Sequence, residues 1–205
     1  MTIGYSLPHD AAALHATGRA RYLDDQPLPE NTLHLAFGLS KIARGKIVKM
    51  DLSEVLNSEG VLRVLTSKDL PFDNDTSPGA KDEPLLAETD VYYIGQPVFL
   101  VIANSHLAAR KAARKGKLKY ETYTPILTIQ QALDTDSRFE EGPRIYRKGD
   151  AERAITLSNF KLSGTLMTGG QEHFYLEGQA ALAIPSEDDE ITVHSSTQHP
   201  SEVQH

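Results

Sequence analysis

Pro97-Val98-Phe99-Leu100-Val101-Ile102-Ala103, then Asn104-Ser105, then His106-Leu107-Ala108-Ala109-Arg110-Lys111-Ala112-Ala113-Arg114-Lys115-Gly116, is the stretch whose reading decides the fold class. Seven residues without a charge predict a strand buried on both faces. Ser105 offers an N-cap for the alanine-rich helix that follows. Lys111, Arg114 and Lys115 fall in its last turn, where cations complement the helix dipole. They also form a basic patch of the kind that contacts phosphate or nucleic acid. Gly116 is expected to end the helix, and residues 117–121 to form another strand. Strand, helix and strand in this compass make a βαβ crossover or an α+β equivalent.

Upstream, Leu33, Leu35, Phe37 and Leu39 alternate with other residues and predict a half-buried strand over 32–39. Gly38 and Gly45 bracket a turn, and residues 46–50 look like the partner strand. A short helix is expected over 53–58, ended by Gly60, with a third strand over 61–66. Residues 73–83, with Pro78 and Gly79, are polar and read as an exposed loop. The first twenty residues read as an arm, followed by Gly18-Arg19-Ala20-Arg21-Tyr22-Leu23-Asp24-Asp25 and a proline-rich turn.

Downstream, Thr128 is placed to cap a short helix through Leu133. Residues 134–150 form a long polar connection with Gly142-Pro143, which suits a domain boundary. Strands are expected over 155–167, 174–184 and 190–195, with a turn at 186–189 and a polar tail that can begin a helix at Ser201. The stop at His205 falls amid an unfinished domain, as at the edge of a longer chain.

The net charge of −7 argues against nucleic-acid binding. The absence of cysteine excludes disulfides and Cys-ligated zinc or iron–sulfur clusters in this chain. No run approaches the roughly 18 apolar residues of a membrane helix, and residues 1–10 show no secretory signal; the acidic balance fits a cytoplasmic protein. The eight histidines show no HExxH spacing; His194, His199 and His205 share no strand or helix face. Gly95-Gln96-Pro97 reads as a tight turn, and neither a P-loop nor GxGxxG is present. The remaining candidate is Thr168-Gly169-Gly170-Gln171-Glu172-His173-Phe174-Tyr175-Leu176-Glu177. Two glycines let a large group approach the backbone, and the glutamine amide both donates and accepts. A β-bulge with surface polar groups reads equally well.

Gly169 to Glu177 resembles the first cofactor-contacting motif of the xanthine dehydrogenase/aldehyde oxidase family. The resemblance continues in Gly18 to Asp25, Leu33 to Ser40, Asp82-Glu83-Pro84-Leu85-Leu86-Ala87, Tyr93-Ile94-Gly95-Gln96-Pro97-Val98, Ala108 to Arg114, Tyr120-Glu121 and Ser195-Ser196-Thr197-Gln198-His199-Pro200. It implies an α+β fold: an α/β hammerhead domain over 16–124, a linker over 125–150, and over 151–205 an incomplete β-rich start of the molybdopterin-binding domain.

The family's molybdenum-binding subunits use molybdenum–molybdopterin to hydroxylate a purine or heteroaromatic carbon. The resemblance therefore implies conversion of hypoxanthine or xanthine to urate, with electrons leaving to NAD. It is similar in flavour to bacterial subunits whose partner, a small subunit with FAD and 2Fe-2S centres, is a separate chain, assembled as a homo-oligomer of heterodimers. It further implies that Gln171 hydrogen-bonds an oxygen ligand of the metal and that Gly169 and Gly170 allow the approach. Glu172 and Glu177 are expected to be structural hydrogen-bond partners, and the catalytic residues to lie beyond His205. The isolated chain is accordingly expected to be inactive and free of molybdenum. Alternatives are a non-catalytic scaffold that dimerises the subunit or docks its flavin partner, and a related aldehyde or heteroaromatic hydroxylase.

Overall fold

The computed structural model describes residues 3–77, 79, 81–139, 142 and 144–204. Pro78, Pro143 and His205, used in the sequence reading above, lie outside the described residues. In chain order the elements are α1 (Ala12–Ala16), β1 (His34–Leu39), β2 (Gly45–Asp51), α2 (Ser53–Leu56), β3 (Val61–Thr66), β4 (Asp90–Val91), β5 (Pro97–Ala103), α3 (His106–Ala113), β6 (Lys117–Thr122), α4 (Ile129–Asp134), α5 (Ala151–Leu157), β7 (Ala181–Pro185), β8 (Ile191–Ser195) and α6 (Pro200–Gln204). The chain divides into two compact units: His34–Asp75 with Pro84–Gln171, and Met1–Leu33 with Thr76–Glu83 and Glu172–His205.

The larger unit holds two three-stranded antiparallel sheets, ordered β1-β5-β3 and β4-β2-β6. β5 lies between two neighbours, and Val98, Phe99, Val101 and Ala103 are almost fully buried, as an uncharged central strand must be. Ser105 caps α3 by accepting from the Ala108 N–H at 3.2 Å. Ala109 and Ala112, one turn apart on α3, are both completely buried, so the helix approaches the sheet closely. The core gathers Val55, Val91, Val98, Phe99, Val101 and Ala112. Asn74 fixes the entry to this core: its amide takes the Leu86 N–H at 2.9 Å and donates to the Leu86 carbonyl at 2.7 Å.

Phe99 explains the direction of β1. Gly38 pairs with Phe99 across the ladder, so both project to the α3 side of the sheet. A Cβ on Gly38 would fall inside the Phe99 ring, and one on Gly116 would lie 2.5 Å from Phe99 Cζ. An aromatic ring covering a cross-strand glycine is a known way of holding edge pairing. The small residues of β1 therefore face α3, and the expected orientation is reversed. Leu33, Leu35, Phe37 and Leu39 keep 48, 56, 44 and 47% of their surface exposed, whereas Gly38 is buried.

Other expectations are also corrected. β2 does not pair with β1; it joins β4 and β6, while the partner of β1 is β5, a pairing that Ser40 carries on into the Gly95–Gln96 turn (Ser40 N–H to Gln96 carbonyl, 2.8 Å; Gly95 N–H to Ser40 carbonyl, 2.9 Å). A bend at 42–44 does lie between Gly38 and Gly45, and Gly45, the first residue of β2, is also a place where a Cβ would meet the Glu121 carbonyl of β6. β5, α3 and β6 form the α+β arrangement and not a crossover, since β6 enters the other sheet. α3 is already over at Ala113, and Gly116 instead makes room for Phe99. α4 starts as expected, with Thr128 and Gln131 exchanging capping bonds.

The expected strand over 155–167 is replaced by the end of α5 and irregular chain. Asp150 caps α5 by accepting the Arg153 N–H at 2.9 Å. Of the expected strand over 174–184, only β7 forms, paired with β8. A strand pattern is a local signal, whereas a ladder needs a partner, and every residue over 158–176 is exposed.

Replacing Gly38 with Ala should lower stability by about 1–3 kcal/mol through overpacking. The Phe99→Leu background should recover part of that loss, read from chemical-denaturation midpoints. Two turn-starting carboxylates should also report acid sensitivity. Asp51 accepts from the Ser53 hydroxyl and N–H, and Asp69 from those of Thr66, which holds both below the ordinary 3.8. Their contribution is complete above the unfolded value and is lost as pH falls through the lowered folded values. Carboxyl NMR titration should find both midpoints below that of an exposed aspartate.

Candidate functional site

Gly169, Gly170 and Gln171 close the larger unit, and Glu172 opens the smaller one. All of them are exposed, in chain that is neither helix nor strand. No strand precedes the glycines, so neither the expected strand nor the β-bulge reading holds. Among the described residues, chain neighbours aside, no heavy atom lies within 4 Å of where a Cβ on Gly169 or Gly170 would stand, and neither has a positive φ. The contrast with Gly38, Gly45 and Gly116 is plain. Those three are glycine because a neighbour occupies the space, whereas no described neighbour requires glycine at 169 or 170.

Gln171 makes no hydrogen bond among the described residues, which leaves its amide free to donate and accept. An unengaged amide beside two unshielded peptide units fits an incoming group with polar oxygens. The residues present thus match the donor chemistry that a molybdopterin ligand set needs, but they do not enclose it. Phe174, at φ +54 with its ring 93% exposed, turns the chain two residues before Leu176. Both motif carboxylates accept backbone N–H groups: Glu172 from His173 at 3.1 Å, and Glu177 from Leu23 at 2.8 Å.

The other sequence candidates resolve simply. Gly95 sits at φ +92 in a tight turn, and Gln96 is buried with its side-chain oxygen on the Tyr92 N–H at 2.8 Å. In the basic patch, Lys115 donates to the Ser58 hydroxyl at 2.9 Å. Nearby, a cleft of about 390 Å³ opens between β1 and α3, lined by Ala36, Ile94, Phe99, Arg110 and Arg114. Sequence reading missed it because its walls come from separate stretches that meet only in the fold. His34 and His106 stack with ring centroids 6.3 Å apart. No group of three or more potential metal-ligating side chains occurs among the described residues. No helix among them is long and apolar enough to cross a membrane.

Comparison with known proteins agrees with this fold. Residues 17–124 match the family described as aldehyde oxidase and xanthine dehydrogenase, a/b hammerhead domain, and residues 136–205 match the molybdopterin cofactor-binding domain. The chain belongs to the aldehyde oxidase and xanthine dehydrogenase family. It is 43% identical to a xanthine dehydrogenase of Calliphora vicina over 204 residues, covering 98% of this chain and 15% of that protein. An aldehyde oxidase 1 of Cavia porcellus is 42% identical over the same share of each. Among solved structures, the aldehyde oxidoreductase from Desulfovibrio gigas superposes with a TM-score of 0.76 at 27% identity, over 93% of this chain and 23% of that one. Quinoline 2-oxidoreductase from Pseudomonas putida 86 shares the fold at 24% identity, with a TM-score of 0.80 over 100% of this chain and 28% of that one. The chain thus spans about 15% of the length of the curated relatives it matches.

Since Gln171 is exposed and unbonded, Gln171→Ala should leave the stability of this chain within about 0.5 kcal/mol of the original. A larger loss in a denaturant titration would mean that the amide serves the fold.

Proposed function

We propose that the chain is the N-terminal part of the molybdopterin-binding subunit of a xanthine dehydrogenase, hydroxylating hypoxanthine and xanthine to urate in the cytoplasm. Electrons would pass to NAD through a partner chain bearing FAD and 2Fe-2S centres. Residues 16–124 would be the hammerhead domain, 125–150 the linker and 151–205 the first part of the cofactor domain. The observation that carries this reading is the exposed Gln171 amide, without a hydrogen bond among the described residues, directly after Gly169-Gly170 in the stretch that resembles the family's cofactor-contacting motif.

The molybdenum cofactor, when bound, supplies the oxygen-transfer and electron-accepting chemistry. This chain's part is to orient. The Gln171 amide would hydrogen-bond an oxygen of the bound group, and the bare backbone at 169 and 170 would let that group come close. One amide orients but does not retain a ligand, because affinity needs several convergent groups. The rest of the site would be supplied by residues outside these 205. A second reading, an aldehyde-hydroxylating relative, is supported by the 42% identity to aldehyde oxidase 1, one point below the first.

In the full-length subunit with its partner, Gln171→Ala should lower kcat or metal retention by roughly 10- to 100-fold. Steady-state rates and elemental analysis read the two separately, and an unchanged value of both would defeat the assignment. Rates on xanthine against those on an aldehyde decide between the two readings. Stoichiometric molybdenum in the purified 205-residue chain would show that far more of the site lies here than proposed.

A further inference from the structure

His106, Arg110, Ala113 and Arg114 recur at three- and four-residue steps, so they share one face of α3 and its C-cap. That face looks toward β1, because the His106 ring stacks on His34 at the start of the strand. Beyond the histidine pair, strand and helix offer only small groups to one another: Ala36 from β1, Ala113 from α3 and Gly116 just after it. The cleft of about 390 Å³ opens there, with the Phe99 ring and Leu118 among its apolar walls. Ile94, 69% exposed, stands at its rim.

The charges around this cleft are all of one sign. Arg110, Arg114 and Lys41 line it and no Asp or Glu does, although the chain has 28 acidic residues against 21 basic ones. Among the described residues, none of the three cations has an ion pair or a side-chain hydrogen bond. Their sequence neighbours Lys115 and Lys117 are engaged, by Ser58 and Glu54. Apolar walls under a wholly cationic rim complement a molecule that is apolar at one end and anionic at the other. Arginine planes and an aromatic ring favour a flat body over a branched one. The C-terminal end of α3 carries the negative pole of the helix, which favours a singly charged head over a doubly charged one. A carboxylate is therefore preferred to a phosphate. The volume is that of a small-molecule site, for which about 300–1,000 Å³ is usual.

We propose that this cleft binds a small aromatic carboxylate. The ring of the ligand lies against Ala36, Ala113 and Phe99, and its charge is met by Arg110 and Arg114, with Lys41 adding to the attraction.

Titrating the isotope-labelled 205-residue chain with naphthoate tests this, read by NMR at Ala36, Ala113 and Gly116. Saturable shifts centred on these residues are expected, with a Kd of about 1 mM or below for a ligand of that size. Naphthamide has the same body without the charge and should bind roughly tenfold more weakly, a difference that shrinks at high salt. Arg110→Gln combined with Arg114→Gln should bring naphthoate down to the naphthamide level. The acid and the amide are compared on the unaltered chain, so the result stands even where that variant folds poorly. No saturable shift at these residues up to about 10 mM naphthoate overturns the site. Equal affinity for acid and amide overturns the part given to the arginines. Tighter binding of naphthyl phosphate than of naphthoate overturns the choice of a carboxylate. Inorganic phosphate that shifts the same residues at the same concentration overturns recognition of the apolar body.

Discussion

The Phe99 ring occupies the space above Gly38 and beside Gly116, and the larger unit is arranged around that occupancy. Because no side chain can stand on Gly38, the α3 side of β1 carries Ala36 and Gly38 after His34, whose ring stacks on His106, and the strand's large apolar residues turn the other way. Because Gly116 gives way as well, the chain can leave α3 and run directly past the ring into β6. Ala109 and Ala112 complete the close approach from the helix. Four small residues and one large one thus set the spacing of helix and sheet, as expected of interiors packed to crystal-like density.

The parts of this fold that rest on neighbouring residues were legible in the sequence. β5 announced itself as an uncharged run, and Ser105 and Thr128 marked helix starts through bonds that close within three residues. The parts that rest on distant partners were not. Alternation in 33–39 fixed that β1 is a strand, but not which face meets the core, since that depends on a ring sixty residues away. β2 reads like a hairpin partner of β1 until β5, some sixty residues on, is seen to take that place and β2 to pair with β4 and β6. The strand-like residues of 155–167 had α5 capped across their start by Asp150, a competing local signal that the alternation hid.

The candidate site divides along the same line. Gln171 and its glycines stood out through a family resemblance, and among the described residues no neighbour crowds the glycines or bonds the amide. Glu177 was legible only as an acidic residue in a motif. Its hydrogen bond reaches an arm at the other end of the sequence, and no spacing rule connects residue 23 with residue 177. The capping habits of short turns give the one available hint: a turn whose aspartate already serves Tyr22 still has a donor at Leu23 to satisfy.

The outward face of β1 carries a thermodynamic signature. Leu33, Leu35, Phe37 and Leu39 are about half wetted while folded, so unfolding exposes less new apolar surface there than their size suggests. The heat-capacity increment of unfolding follows that newly exposed area. For this strand it is correspondingly small, which flattens its share of the stability curve and makes the strand's contribution less sensitive to cooling than that of β5, whose side chains come out of a dry interior.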